Sequence, residues 1–272
     1  MPGVSDAEVN ARRALLDALE ALDAHIDAVV LIGAQAVYLH TGDAPTALPP
    51  FTKDADLALD ARRLGDHPLI EEAMRAAGFI LDPVARQPGT WLSSDGVPVD
   101  LMVPEALSGA KGRRGARIPP HARTATRRAA GLEAAVVDCA PRTIAAFDPA
   151  DPREFVVSVA GPAALLVSKL HKLGERQNTP DRLLDKDAHD VYRLLVALPT
   201  QTLASQLNSL RRDDLAGDST IRALEYLGDL FREPDAIGAV MAGRAEVAVG
   251  PPATVAASVA TLAADLAEAL AA

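Results

Sequence analysis

The sequence predicts an α+β protein in two parts: a small mixed sheet with flanking helices over residues 1–160, and an all-helical part over residues 161–272. Three observations carry this expectation. Short β-branched runs recur in the first part between turns marked by glycine and proline. From Gly161-Pro162 onward the apolar residues fall at helical spacing, with proline at a first helical position. Aromatic residues are only 3% of the chain while alanine is abundant, so the core must rest on Leu, Val, Ile and Ala, which suits helices packed on a sheet.

Taken in order, Ser5 with Glu8 is a capping-box pair, and Leu15, Leu19 and Leu22 repeat at helical spacing behind it, so the chain opens on an amphipathic helix. Residues 28–32 read as a strand ending in Gly33, and 34–40 as a helix. The loop 41–51 holds Gly42, Pro45, Pro49 and Pro50 and is irregular. A second strand follows at 55–60. Asp66, Pro68 and Gly78 bracket a helix, after which 79–81, 90–93 and 97–103 read as strands. The segment 111–128, rich in Arg, Gly and Pro, reads as an exposed loop or short helix. Two or three short strands are expected between 132 and 159. Helices are expected at 162–177, 183–198, 201–215, 217–232 and 252–271.

Charge and composition exclude several classes. A formal charge of -10 argues against non-specific binding of nucleic acid over the whole surface. A local patch remains, since Lys111, Arg113, Arg114, Arg117, Arg123, Arg127 and Arg128 share a stretch without an acidic residue. Cys139 is the single cysteine, so an internal disulfide and a cysteine-based zinc cluster are both excluded, and a reducing compartment is expected. Asp6 and Glu8 stand where a signal peptide needs a basic start, and Asp265 and Glu268 interrupt the apolar tail, which reads as a packed amphipathic helix. The expectation is a cytoplasmic protein with no membrane partner.

The chemistry concentrates in Lys53-Asp54-Ala55-Asp56-Leu57-Ala58-Leu59. Side chains alternate across a strand, so Asp54 and Asp56 share one face and Leu57 and Leu59 the other. Two carboxylates held side by side repel unless a cation lies between them, and oxygen ligands select a hard ion such as Mg²⁺. Alone, an Asp-x-Asp is equally a solvated strand end. Its neighbours strengthen the signal. Upstream, Leu31-Ile32-Gly33-Ala34 is a strand feeding a small-residue turn into a helix, where backbone N–H groups can receive a triphosphate. Downstream, Asp100 faces away from Val99, Leu101 and Val103 and offers a third carboxylate from another strand.

Together, Gly33-Ala34, Asp54-x-Asp56 and a strand Asp100 resemble the nucleotidyltransferase superfamily with a DNA polymerase β-like head. The resemblance implies that Asp54, Asp56 and Asp100 bind two Mg²⁺ ions, with Asp100 also orienting or deprotonating the acceptor hydroxyl. In the second part, Lys169, Lys172 and Arg176 share a helical face, and a second helix carries Lys186-Asp187-Ala188-His189-Asp190. Following such a head, this pattern resembles the AbiEii/MenT group of toxin-like nucleotidyltransferases over residues 31–195. By that resemblance Lys169 contacts the triphosphate, with Asp187 placed to hold the Lys169 ammonium, and Gly33, Ala34, Thr52, Lys53, Lys172 and Arg176 are expected to line the nucleotide. From its charge, the acid-free basic stretch is where an RNA acceptor is expected to touch the protein, through Arg113, Arg114 and Arg117. Without the head, the same cations are an ordinary basic helix face.

The implied reaction is transfer of a nucleoside monophosphate from NTP to the 3′ end of tRNA, with an antitoxin protein as partner. Alternatives are an acceptor on a protein or a small molecule such as an aminoglycoside, or a catalytically silent nucleotide-binding module. The sequence departs from the family at Ala34, where Gly or Ser is usual, and at Phe51, where many relatives have arginine. It has no Walker A loop, nucleophile elbow or His-Glu-x-x-His motif.

Overall fold

The structure is a computed structural model, and it describes residues 5–42, 44, 46, 53–84, 87–109, 115–179, 181, 183–248 and 250–272. Its architecture is α+β, with a mixed, open eight-stranded sheet and many helices. The chain divides into two compact units. The first holds Met1–Gln35, Phe51–Ala130 and Cys139–Ala160; the second holds Ala36–Pro50, Gly131–Asp138 and Gly161–Ala272. Two segments from within the first 160 residues thus cluster with the helices that follow Gly161.

In the first unit, α1 (Asp6–Ala21) begins at the expected cap: the Ser5 hydroxyl accepts the Glu8 N–H, and the Glu8 carboxylate accepts the Ser5 N–H. Leu15, Leu19 and Leu22 are fully buried. The strands are β1 (Val29–Ile32), β2 (Ala55–Leu59), β3 (Ile80–Leu81), β4 (Thr90–Leu92), β5 (Pro98–Pro104), β6 (Arg127–Ala129), β7 (Cys139–Ala145) and β8 (Glu154–Ala160). Their order is β3-β4-β5-β2-β1-β8-β7, with β6 on β5. β5 runs parallel to β2 and β1 parallel to β8, while β1 and β2 are antiparallel. Leu57, Leu59, Val99, Leu101 and Val103 are all fully buried, and α1 packs on β2, β5 and β8. A short helix, α3 (Ile70–Ala76), packs against α1.

One edge of β5 is shared. β4 pairs with Pro98–Asp100 and β6 takes over at Met102–Pro104. The handover is made at Gly89, whose φ is +79° and whose missing Cβ would fall on the Leu101 carbonyl and the Arg127 nitrogen. This corrects the expected loop or short helix at 111–128: its last residues, Arg127 and Arg128, are strand, drawn in by free hydrogen-bonding groups on β5.

Helix α2 (Gly33–Thr41) leaves β1 directly. The second unit contains α4 (Glu133–Val137), α5 (Pro162–Gly174), α6 (Asp185–Ala197), α7 (Thr200–Leu210), α8 (Gly217–Phe231), α9 (Ile237–Ala245) and α10 (Pro252–Ala271). Three differences from expectation have local causes. Residues 133–137, expected among the strands, are a helix packed on α5. The helix expected to reach 215 stops at Leu210, because the Asp213 carboxylate accepts the N–H groups of Leu215 and Ala216 in a turn. Helix α9, not expected, forms despite two glycines because Ala239, Met241 and Ala242 are buried among helices. By length and composition α10 is the one helix among the described residues that could cross a membrane; here Val255, Val259, Ala263 and Leu266 are buried, and it packs on α7 and α9.

Candidate active site

Sheet register gathers one set of expected residues. In β2 and β5, Asp56 stands opposite Asp100, and neighbouring strands lie roughly 4.8 Å apart. Their side chains therefore leave the same face. Thr90 in β4 is the register partner of Asp100, and Arg127 in β6 is that of Met102, two residues beyond Asp100, so these too share the face. Asp54 lies two residues before Asp56, at the entry to β2.

Gly33 is the register neighbour that completes this corner. Ile32 pairs with Asp56, and Gly33 follows with φ +71° as α2 begins. A Cβ at Gly33 would fall on the Asp56 carboxylate, so the backbone turn and the acid occupy adjoining space. Gln35 braces the turn: its amide donates to the Ala11 and Asp54 carbonyls, both at 3.3 Å. Gln35 in turn accepts from Arg12 Nε at 2.9 Å, while Arg12 Nη1 donates to the Ala145 carbonyl. The Arg12 guanidinium lies 4.0 Å from the centre of the Phe147 ring, and burial pulls its pKa down to about 10, which leaves it charged at neutral pH.

Asp100 is occupied. Its Oδ1 accepts from the Thr90 hydroxyl at 2.6 Å and its Oδ2 from Arg127 Nη2 at 2.7 Å. Among the described residues no group of three or more metal-ligating side chains is assembled. The donor set nonetheless fits a hard divalent cation: oxygen ligands alone, two of them in register on adjacent strands, beside a turn without a side chain. Lys53 is exposed at the entry to β2, and Ala34 is half-buried in the first turn of α2. Thr52, Lys111, Arg113 and Arg114 lie outside the described residues. Arg117 is exposed, whereas Arg128 pairs with Glu105 at 2.8 Å.

The second unit brings together the other expected residues, on α5 and α6. Lys169 is 5% exposed, and its ammonium lies 3.2 Å from Asp187 and 2.5 Å from Asp190. Asp187, 1% exposed, is also 2.9 Å from Lys172 and 3.9 Å from Arg176. Burial pushes the Asp187 carboxyl up, but the charges of Lys169 and Lys172 outweigh it and hold the group well below the usual carboxylate range. Lys169 is thus inside the cluster, clamped by two acids. Lys172 and Arg176, with side chains 34% and 27% exposed, form its accessible rim.

Three participants carry roles that their sequence context alone does not assign. Asp190 was visible in principle, because it lies three residues after Asp187 on the same helix. Arg127 and Thr90 acquire their roles only through the pairing of β4, β5 and β6, which no spacing in the chain announces. Comparison with protein families, with curated proteins and with solved structures finds no match for this chain.

Proposed function

We propose that the protein is a divalent-cation-dependent nucleotidyltransferase of the AbiEii/MenT kind, moving a nucleoside monophosphate from NTP to an acceptor. The observation that carries this reading is the register of Asp56 with Asp100, beside a Gly33 turn that adjoins the Asp56 carboxylate. Asp54, Asp56 and Asp100 would hold the cations, which supply Lewis-acid charge at the phosphate being transferred. The N–H groups opening α2 offer donors to phosphate oxygens. Asp100 accepts the proton of the attacking hydroxyl, whose oxygen bonds to the α-phosphorus as the bond from that phosphorus to the bridging oxygen breaks and pyrophosphate leaves. In the second unit, Lys172 and Arg176 are the partly exposed cations of the helical cluster, with Lys169 holding Asp187 and Asp190 behind them.

For the acceptor we propose RNA, the tRNA 3′ end in the family's manner, supported by the acid-free stretch 111–128 and the exposed Arg117. Cytoplasmic action and neutralisation by an antitoxin protein belong to the same reading. One observation favours a second reading, a silent nucleotide-binding module: Asp100 is already bound to Arg127.

The test is to incubate the protein with each α-labelled NTP, Mg²⁺ and a cell extract, and to follow label into RNA, protein and small molecules. Label is expected in RNA, and Asp56→Asn should lower it by about a hundredfold or more, given the charge that metal ligands stabilise in such reactions. Label in none of the fractions selects the silent module.

A further inference from the structure

The Arg127 guanidinium is placed as a substitute cation. Asp56 and Asp100 emerge side by side, and two carboxylates so close repel each other unless a cation lies near them. In the structure the positive charge facing Asp100 is Arg127, whose Nη2 donates to Asp100 Oδ2. The attachment is a thin one. Among the described residues the same nitrogen serves the second contact, 2.9 Å from the Met102 sulfur, so the two-pronged grip that makes arginine–carboxylate pairs strong is not used. The side chain is 23% exposed and starts from a three-residue strand, which leaves it room to swing away. Thr90 holds the other oxygen of Asp100, so the carboxylate keeps its orientation when the arginine leaves.

We propose that Arg127 is a displaceable placeholder at Asp100: it competes with a bare divalent cation for that carboxylate, and moves onto the phosphates when the cation arrives as its polyphosphate complex. This rests on the nucleotidyltransferase reading and adds to it a selection step. A free cation must evict a guanidinium that then has no partner. A cation bearing a polyphosphate brings anionic oxygens that receive the released guanidinium, for which a planar fork of donors is suited. The site therefore loads the complex in preference to the ion.

The placeholder makes two effects of one substitution run in opposite directions. In Arg127→Gln, binding of Mn²⁺ alone, measured by calorimetry, should tighten about tenfold or more, while binding of Mn²⁺ with a non-hydrolysable NTP analogue should weaken by a similar factor. A merely structural arginine would weaken both, and that result overturns the proposal. A readout on the unaltered protein guards against a misfolded variant. The ¹⁵N-labelled guanidinium signal of Arg127, held by Asp100, should shift and lose its protection from exchange as Mg²⁺ is added; an unchanged signal at saturating cation overturns the proposal as well. If the intact protein binds Mn²⁺ through Asp56, shown by loss in Asp56→Asn, yet Arg127→Gln leaves that affinity unchanged, the placeholder alone fails. If neither protein binds Mn²⁺ and no label is transferred from NTP, the nucleotidyltransferase reading fails and takes the placeholder with it.

Discussion

Replacing Asp187 by Asn removes one charge from a buried cluster while keeping its volume. Asp187 is 1% exposed and lies 3.2 Å from Lys169, 2.9 Å from Lys172 and 3.9 Å from Arg176. The variant takes one of two carboxylates from the buried Lys169 ammonium and leaves Lys172 and Arg176 beside a neutral amide. Breaking a buried pair from one side costs about 3–5 kcal/mol, a large share of the roughly 5–15 kcal/mol stability of an ordinary domain. Lys169→Met should cost about as much, since it strands Asp190. The double variant should cost less than the sum, with a coupling of about 2 kcal/mol, because the Lys169–Asp187 contact that each single change removes is lost only once. Urea unfolding of the four proteins measures this. By contrast, Lys172→Ala and Arg176→Ala, at partly exposed positions, should cost about 1 kcal/mol or less and yet weaken binding of a polyphosphate. The pH dependence has a fixed sign: the folded Asp187 carboxyl is depressed, so its stabilisation is present above the unfolded pKa of about 3.9 and is lost as pH falls below it. The gap between wild type and Asp187→Asn should accordingly close in strong acid. Single variants within about 0.5 kcal/mol of wild type, or strictly additive losses, would refute the picture of one coupled cluster.

Gly33→Ala should lose about 1–3 kcal/mol in chemical denaturation through its φ of +71°, and should weaken cation binding because the new methyl group displaces the Asp56 carboxylate; a stable variant with intact cation affinity refutes that geometry. His121 accepts the Ile70 N–H on Nδ1 and donates from Nε2 to the Gly65 carbonyl, and burial lowers its pKa. Its contribution is therefore present above the unfolded pKa of about 6.5 and is lost as pH falls through the lower folded value, so His121→Gln should flatten the stability profile on the acid side of that unfolded pKa. An unaltered slope refutes the neutral tautomer. Replacing Arg117 and Arg123 by Ala should lower the salt dependence of RNA binding by about one unit per lost phosphate contact and leave NTP binding intact; an unchanged slope assigns both to a solvated loop.

The elements legible in the sequence were those whose signal is local. The Ser5–Glu8 cap and the leucines of α1 lie within one helix, and the alternation of Asp54, Asp56, Leu57 and Leu59 lies within one strand. The helix at 133–137 and α9 were not legible for the opposite reason. Val136 and Val137 favour a strand by themselves, and Gly238 and Gly243 disfavour a helix, so in both places packing against neighbouring helices overrides the residue preferences. The candidate site divides the same way. Residue types and spacing pick out Asp54, Asp56 and Asp100, but that Asp56 faces Asp100 depends on the pairing of β2 with β5, forty-odd residues apart.

The distinction bears on what each acidic residue signifies. A carboxylate recognised from spacing alone is compatible with a metal ligand, a strand end or one half of an ion pair, and its partner decides among them. Asp187 has partners that bury and neutralise it, so its first role is to hold α5 and α6 together, and any role in catalysis acts through the rim formed by Lys172 and Arg176. Asp56 lies against a glycine that leaves no side chain in its way, and the Asp100 beside it is held by one hydroxyl and one nitrogen of a half-buried arginine. A fold that needed Asp100 only for stability would gain from a two-pronged arginine grip. The single-nitrogen contact gives up that stability where Asp56 and Asp100 stand in register, which is where a cation would have to enter.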